Sequence, residues 1–416
     1  MAFGFSRTRH SPIAIDFGAD SLKLLQIIPG QPPQLLAAAA AVLPASARQD
    51  AAARDAFLAD ALARLLKSQP FKGKRAICSL PAYQTVVQHL ELPRSEGDNL
   101  QTALEQQLRQ RLDIDARRMV VRHVPVGAVN RQGGQQMEVL CLAAPRDVVM
   151  RYITIAGKAK LDVVGMHSEP MSLCKAFEQA DAAGQGAAAG KAVCYIDIGA
   201  ACTKVIITAA GQLKFAKTIH AAGDQITRQV AAAGQIDFDQ ARQQRVDEAA
   251  GRTTQAIDGD AGSAEHAMVA AAAAPMQAHA AHDDARAATG IPALDAQVDE
   301  AAAPAAAAKS AASTAAAAAA DTIETLVDEL QLCLRYYQRL CPDMPVDRLV
   351  FLGGEARHVT TCQSIARGVR IAAQLGDPLA RATRVTLGKP AVGVNLDDPQ
   401  PGWAVPFGLC LSEANL

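Results

Sequence analysis

Two acids stand at matching places in this chain. Asp16 lies in Ile13-Ala14-Ile15-Asp16-Phe17-Gly18-Ala19-Asp20-Ser21-Leu22-Lys23, and Asp197 in Tyr195-Ile196-Asp197-Ile198-Gly199-Ala200-Ala201-Cys202-Thr203-Lys204. Asp, Gly, Ala and Lys recur at one offset of 181 residues: 16 to 197, 18 to 199, 19 to 200 and 23 to 204. An acid that ends an apolar strand points into the cleft beyond it, where a carboxylate holds Mg²⁺ through the ion's waters. Asp16 and Asp197 are therefore the candidate metal ligands. A tight turn of small residues brings backbone N–H groups close to phosphate oxygens. Gly18 and Ala19 offer such a turn on one side, Gly199 and Ala200 on the other. Ser21 and Thr203 add hydroxyl donors, and Lys23 adds a cation. Gly353-Gly354, after the apolar strand Arg348 to Leu352, is a third close-approach point, suited to the sugar or base end of a nucleotide. The expectation is two similar halves facing each other across a nucleotide.

These residues need a scaffold of strands and helices, and the patterning supplies one. Residues 11–28 read as two strands joined at Gly18-Ala19-Asp20, with a third over Leu35 to Leu43. Phe57, Leu58, Leu62, Leu65 and Leu66 mark an amphipathic helix from Arg54 to Leu66. Lys74 to Leu80 and Val86 to Leu92 read as strands, each closed by a proline. Asn99 to Leu112 is a charged helix with Leu100, Leu104, Leu108 and Leu112 every four residues, a stripe read as core. Met119 to Val126 and Met137 to Ala143 form a strand pair around Asn130 to Gly134. Pro145 to Ala159 is a helix, Leu161 to His167 a strand, Met171 to Ala180 a helix, and Gly184 to Gly190 a linker.

The second half repeats the plan. Ala192 to Ile207 is strand, turn and strand; Gly211-Gln212 is a hairpin turn before a strand over Leu213 to Ile219. Gly223-Asp224 supply turn and cap for a helix to Ala233. Fifteen of residues 301–320 are alanine, so 246–320 is read as a low-complexity insertion, disordered or loosely helical. Order resumes at Asp321 with a long amphipathic helix over Ile323 to Tyr337. Gly353-Gly354-Glu355-Ala356 turns the next strand into a helix ending near Val369. Arg384 to Leu387 is a short strand, and Ala404 to Cys410 a final apolar segment.

Composition narrows the class. At 416 residues, two or more domains are expected. A net charge of −1 argues against a nucleic-acid protein, which would carry a basic stripe. Nine scattered cysteines, without CxxC or zinc spacing, fit free thiols in a reducing cytoplasm. No signal peptide and no strongly apolar run of membrane length is read. Some motifs are decoys. Gly186 to Lys191 lacks P-loop spacing. His279 and His282 fall in the low-complexity stretch. His167 and Cys174, near Glu169, read as packing residues.

Taken together, Asp16 to Lys23, Asp197-Ile198-Gly199 and Phe351-Leu352-Gly353-Gly354-Glu355 resemble the two phosphate motifs and the adenosine motif of the actin-like ATPase superfamily. Within it the chain resembles the PilM family of type IV pilus assembly, on the branch shared with FtsA. Lys214 to Lys217, Ala222 to Thr227 and Phe407-Gly408-Leu409 carry the same resemblance. It implies a duplicated actin-like (ribonuclease H-like) α/β fold with two lobes around a nucleotide cleft, plus a small inserted helix-hairpin subdomain. The first lobe is expected over 10–93 and 145–185, the insertion over 94–144, and the second lobe over 191–227 and 321–416. A small subdomain over 228–320 would carry the alanine-rich stretch.

The resemblance also implies ATP with Mg²⁺ in the cleft, Gly223 beside the nucleotide, and Glu169 orienting the attacking water. Departures are visible. Ala200-Ala201 replaces Gly-Gly or Gly-Ser, and Ala222-Gly223 replaces Gly-Gly. Arg242-Gln243-Gln244-Arg245 replaces a Glu-x-x-Lys that would contact the ribose. A slow or inactive ATPase scaffold at the cytoplasmic face of an inner membrane is the implied function. Its partners would be the N-terminal cytoplasmic peptide of a PilN-like single-span protein and other pilus motor or platform proteins, with self-association a further option. The alternatives are a type II secretion platform component, an FtsA-like polymer and a sugar-kinase-type phosphotransferase.

Overall fold

Ile13 to Phe17 is buried at every position, as a strand covered on both faces must be. The same holds for Ala192 to Ile198. The computed structural model describes residues 10–93, 98–112, 115–131, 134–188, 190–258, 319–380, 382–384, 394 and 398–416. In the first lobe, β1 (Ile13–Phe17), β2 (Ser21–Ile28) and β3 (Gln34–Val42) form an antiparallel meander. β4 (Arg75–Leu80) joins β1 in parallel, and β8 (Asp162–Ser168) joins β4. In the second lobe β9 (Ala192–Ile198), β10 (Thr203–Ala209) and β11 (Gln212–Ile219) make the same meander. β12 (Val346–Leu352) joins β9 in parallel, and β13 (Ala373–Leu375) joins β12. The two sheets thus share one strand order. A late strand, β14 (Thr383–Arg384), is added to the first at β3.

The helices follow the cores. α1 (Ala45–Gln49), α2 (Ala51–Ser68) and α4 (Arg146–Lys158) cover one face of the first sheet, where Leu58, Leu62 and Tyr152 pack on Ile13, Ile15 and Phe17. α8 (Ala320–Leu340) and α9 (Val359–Val369) do the same for the second sheet through Leu326, Leu330 and Ile365. Between the lobes run α5 (Glu169–Ala188) and α10 (Ala404–Cys410), whose Leu173, Phe177, Phe407 and Leu409 share one core with Tyr195 and Trp403. The crossing is tight: a Cβ on Gly408 would collide with the Ser172 carbonyl. No helix among the described residues is long and apolar enough to cross a membrane.

The structure departs from the sequence expectations in four places. β5 (Val86–Pro93) belongs to the inserted sheet, not the first lobe. It pairs with β7 (Gly134–Pro145), which pairs with β6 (Met119–Arg131), because its apolar residues Leu90 and Leu92 pack on α3 (Asp98–Leu112). α5 starts at Glu169 and continues through the expected linker to Ala188, since alanine favours helix and the glycines there do not outweigh it. α6 (Gly223–Gly234) is capped by Ala222 without a side-chain bond, and Asp224 lies in its first turn. α7 (Phe238–Asp258) carries helix past residue 246, with Arg245 and Ala249 buried. The remaining low-complexity stretch with His279 and His282, the turn centre at 132–133 and residues 385–387 lie outside the described residues. Leu104 and Leu108 are core, as expected. All nine cysteines are buried.

Candidate functional site

The duplicated turns place two lysines opposite two acids. Asp16 faces Lys23 across the β1–β2 ladder, and Asp197 faces Lys204 across β9–β10. The equivalence stops there. Lys23 Nζ lies 3.9 Å from Asp16 Oδ2, with a fifth of its side chain exposed. Lys204 is buried; its Nζ is 3.3 Å from Asp197 Oδ1 and 2.8 Å from Glu169 Oε2. Glu169 reaches this point because it opens α5, straight after β8. Asp16 also accepts from Ser79 Oγ, at 2.9 Å.

Burial dominates the electrostatics. It lifts the Asp16 and Glu169 carboxyls above their ordinary values, against the opposing pull of Lys23 on one and Lys204 on the other. Burial alone would lower Lys204, but Asp197 and Glu169 outweigh it and hold the ammonium well above its ordinary value. Three buried acids thus share this junction with two lysines.

The turns are fixed by neighbours. Arg54 of α2 donates to the Ala19 and Gly18 carbonyls at 3.0 and 2.6 Å. The Gly199 amide donates to Cys202, while the amides of Gly223 and Asp224 donate to the Gly199 and Ala200 carbonyls. Thr203 was expected to donate to phosphate. Its buried hydroxyl donates instead to the Ala221 carbonyl, at 2.7 Å, so it pins the second turn. Ser21 lies at the first turn, where its hydroxyl bonds Asp20.

Gly353, at φ 89°, closes the floor. A Cβ there would strike the Ile198 carbonyl and the Asp197 carboxylate. Gly354 beside it has no atom within 4 Å of where its Cβ would stand. From Gly402 the equivalent point is 3.7 Å from Lys23 Nζ and 3.9 Å from Gly353. Lys23, Gly353, Gly354 and Gly402 thus come together as a small cradle beside the first rung.

Sequence reasoning missed several neighbours of this cradle. Arg245 pairs with Glu355 and donates to the Gly223 carbonyl and Thr227 Oγ1, at 3.1 and 2.8 Å. A Cβ on Gly223 would collide with the Glu355 carboxylate. Arg242 crosses to the first lobe and pairs with Asp20 at 2.8 Å, and Arg48 pairs with Asp239. Burial would raise Asp20, but Arg242 and Lys23, with Ser21, together outweigh it and hold the carboxyl below its ordinary value. Lys204 was visible only as the fourth shared residue of the repeat. His167 meets the Glu413 carbonyl and Cys174 the Gly211 carbonyl, so they do not form a catalytic pair. A separate cavity of about 640 Å³, lined by Lys217, His220, Arg228, Asp321 and Glu329, shares no residue with the cradle.

The sequence matches the family described as "Type IV pilus assembly protein PilM" over residues 14–255, more than half of the chain. A search of curated proteins finds no match. Among solved structures, the chain is similar to the PilM–PilN type IV pilus biogenesis complex, with 16% identity, a TM-score of 0.68, and coverage of 97% of this chain and 98% of that one. It is also similar to the ethanolamine utilization protein EutJ from Carboxydothermus hydrogenoformans, with 11% identity, a TM-score of 0.46, and coverage of 97% and 90%. The fold is the expected duplicated, two-lobed, actin-like α/β architecture.

Proposed function

The chain belongs to the PilM family of type IV pilus assembly proteins, and on that premise we propose that it is an ATP-holding scaffold rather than an enzyme of rapid turnover. The observation that carries the reading is the cradle of Lys23, Gly353, Gly354 and Gly402, set between two lobes that each bring an Asp–Lys rung to it. Phosphates would lie against Lys23 and the Gly18-Ala19 turn. The nucleoside would lie toward Gly353-Gly354, where the Arg245–Glu355 pair forms the wall in place of an acid on α7. ATP would supply a polyanion that draws the lobes together.

Glu169 was expected to orient water. It is engaged by Lys204, which supports slow or absent hydrolysis and gives no support to a phosphotransferase. The Mg²⁺ expected between Asp16 and Asp197 does not fit. Asp197 already has an ammonium at 3.3 Å, which an ion held by that carboxylate would have to face. No step is assigned to the metal.

The partner would be the cytoplasmic N-terminal peptide of a PilN-like single-span protein, seated between the first lobe and the inserted sheet. That contact would hold the chain at the cytoplasmic face of the inner membrane and connect it to other pilus components. A solved relative is a PilM–PilN complex, which supports this reading. The test is a pull-down of the full chain by that peptide, with and without ATP, beside direct ATP titration. No peptide capture in either state would sink the scaffold reading, and no ATP binding would sink the nucleotide reading.

A further inference from the structure

Lys204 and Lys23 occupy equivalent rungs, yet only one is placed to meet a ligand. Lys23 is partly exposed, stands 3.9 Å from its acid and borders the cradle at Gly402. Lys204 is enclosed. Its side chain is 9% exposed, those of Asp197 and Glu169 are 6% exposed, and its ammonium lies between the two carboxylates. A Gly199 side chain would stand 3.6 Å from the same ammonium, so the second turn closes over it.

We propose that Lys204 is a built-in cation that takes the place of a divalent metal on the second lobe, so that ATP binds here without one. The inference rests on the nucleotide reading above. A divalent ion at Asp197 needs carboxylate oxygens either directly or through one layer of water. An ion bound directly to the oxygen that Lys204 contacts would lie within about 5.5 Å of the ammonium, where two cations repel in a buried site. The ammonium already supplies what the ion would supply there: positive charge between the Asp197 and Glu169 carboxylates. It also ties up one oxygen of Glu169, whose Oε2 faces the ammonium at 2.8 Å instead of a water. One residue thus accounts for both the misfit of the metal and the tethering of the expected catalytic acid. Lys204→Thr, which removes the charge, would reopen the site.

The test uses the full chain and ATP followed by calorimetry, in excess Mg²⁺ and in EDTA. For the wild type, the Kd should change by less than about threefold between the two conditions, and for Lys204→Thr by more than about tenfold. Lys204→Thr leaves two buried acids facing each other, so Lys204→Thr combined with Glu169→Gln provides a variant with less repulsion and the same expected metal dependence. Mn²⁺ added without nucleotide, followed by electron paramagnetic resonance, should be bound by the variants and not by the wild type. ATP binding that needs Mg²⁺ in the wild type, or variants as metal-independent as the wild type, overturns the inference alone. Absence of ATP binding in both conditions overturns it together with the nucleotide reading.

Discussion

Tyr336 of the second lobe donates its hydroxyl to Glu138 of the inserted sheet at 2.8 Å. His89 completes the joint. Its Nε2 accepts from the Ala216 amide at 3.3 Å, so Nδ1 carries the proton it gives to Glu138 at 3.1 Å. Its ring stacks on Phe215 at 4.9 Å. The inserted sheet is therefore bonded to the lobe opposite the one whose chain it interrupts. Movement of the second lobe would carry this sheet, and any groove it shares with the first lobe.

Removing that hydroxyl tests the joint. Glu138 is buried and its Oε2 has no hydrogen-bond partner among the described residues, while Oε1 carries the contacts to His89 and Tyr336. Tyr336→Phe should lower stability by about 1–3 kcal/mol, the range for a buried group left short of a bond. Chemical denaturation measures the loss. Hydrogen exchange should rise in β5 and β7 and stay unchanged in β4 and β8. Equal rises in all four strands would show that the joint is not local.

Asp16→Asn keeps the shape of the side chain and its bond with Ser79. It removes the charge that positions Lys23. ATP retained on purified protein should fall by about tenfold or more, the effect of roughly 1.4 kcal/mol, with little change in melting temperature. Unchanged retention would mean that the nucleotide does not lie at this rung.

The Asp20–Arg242 pair ties the lobes at the rim, and its pH dependence has a definite sign. Asp20 titrates below its ordinary 3.8 in the fold. Its contribution is complete above 3.8 and disappears as the pH falls through the lowered value. Both side chains are partly exposed, so the pair is worth about 0–1 kcal/mol. Arg242→Gln should leave the melting temperature nearly unchanged and open the lobes in small-angle scattering at neutral pH. The wild type should open similarly only under acid conditions below 3.8. A scattering profile unchanged by the substitution would dismiss the tie.

Two glycines separate folding from binding. Gly353→Ala forces a side chain onto a positive φ and into Ile198. It should cost about 1–3 kcal/mol. Gly402→Ala meets nothing closer than 3.7 Å, so the protein should fold normally and bind ATP more weakly. Equal affinity in Gly402→Ala would place the nucleotide away from this turn.

Periodicity revealed the two meanders because their strands are buried and their turns short. The constant offset of the repeat located both rungs. What a single chain could not show was which partner each side chain finds. Thr203 and Ser21 look alike in sequence, yet one pins Ala221 and the other bonds Asp20. Lys204 looks like Lys23, and only the entry of Glu169 from α5 separates their roles. β5 was assigned to the wrong sheet because an amphipathic strand carries no label for its neighbour; pairing with β7 is a long-range choice. Arg242 and Arg245 were read only as departures from Glu-x-x-Lys, because their partners are 222 and 110 residues away.

The crossing of α10 over α5 has a consequence for synthesis. Phe407 and Leu409 pack among the residues of β1, β2 and β4, and the Gly408 backbone rests on Ser172. The first lobe is thus encoded almost wholly before residue 190, yet its inner wall comes from residues 404–410. On the ribosome, that lobe must wait, with Ile27, Leu173 and Phe177 uncovered, until the second lobe has been translated. A nascent chain of this kind exposes apolar surface for most of its synthesis, and aggregation competes with its folding during that time.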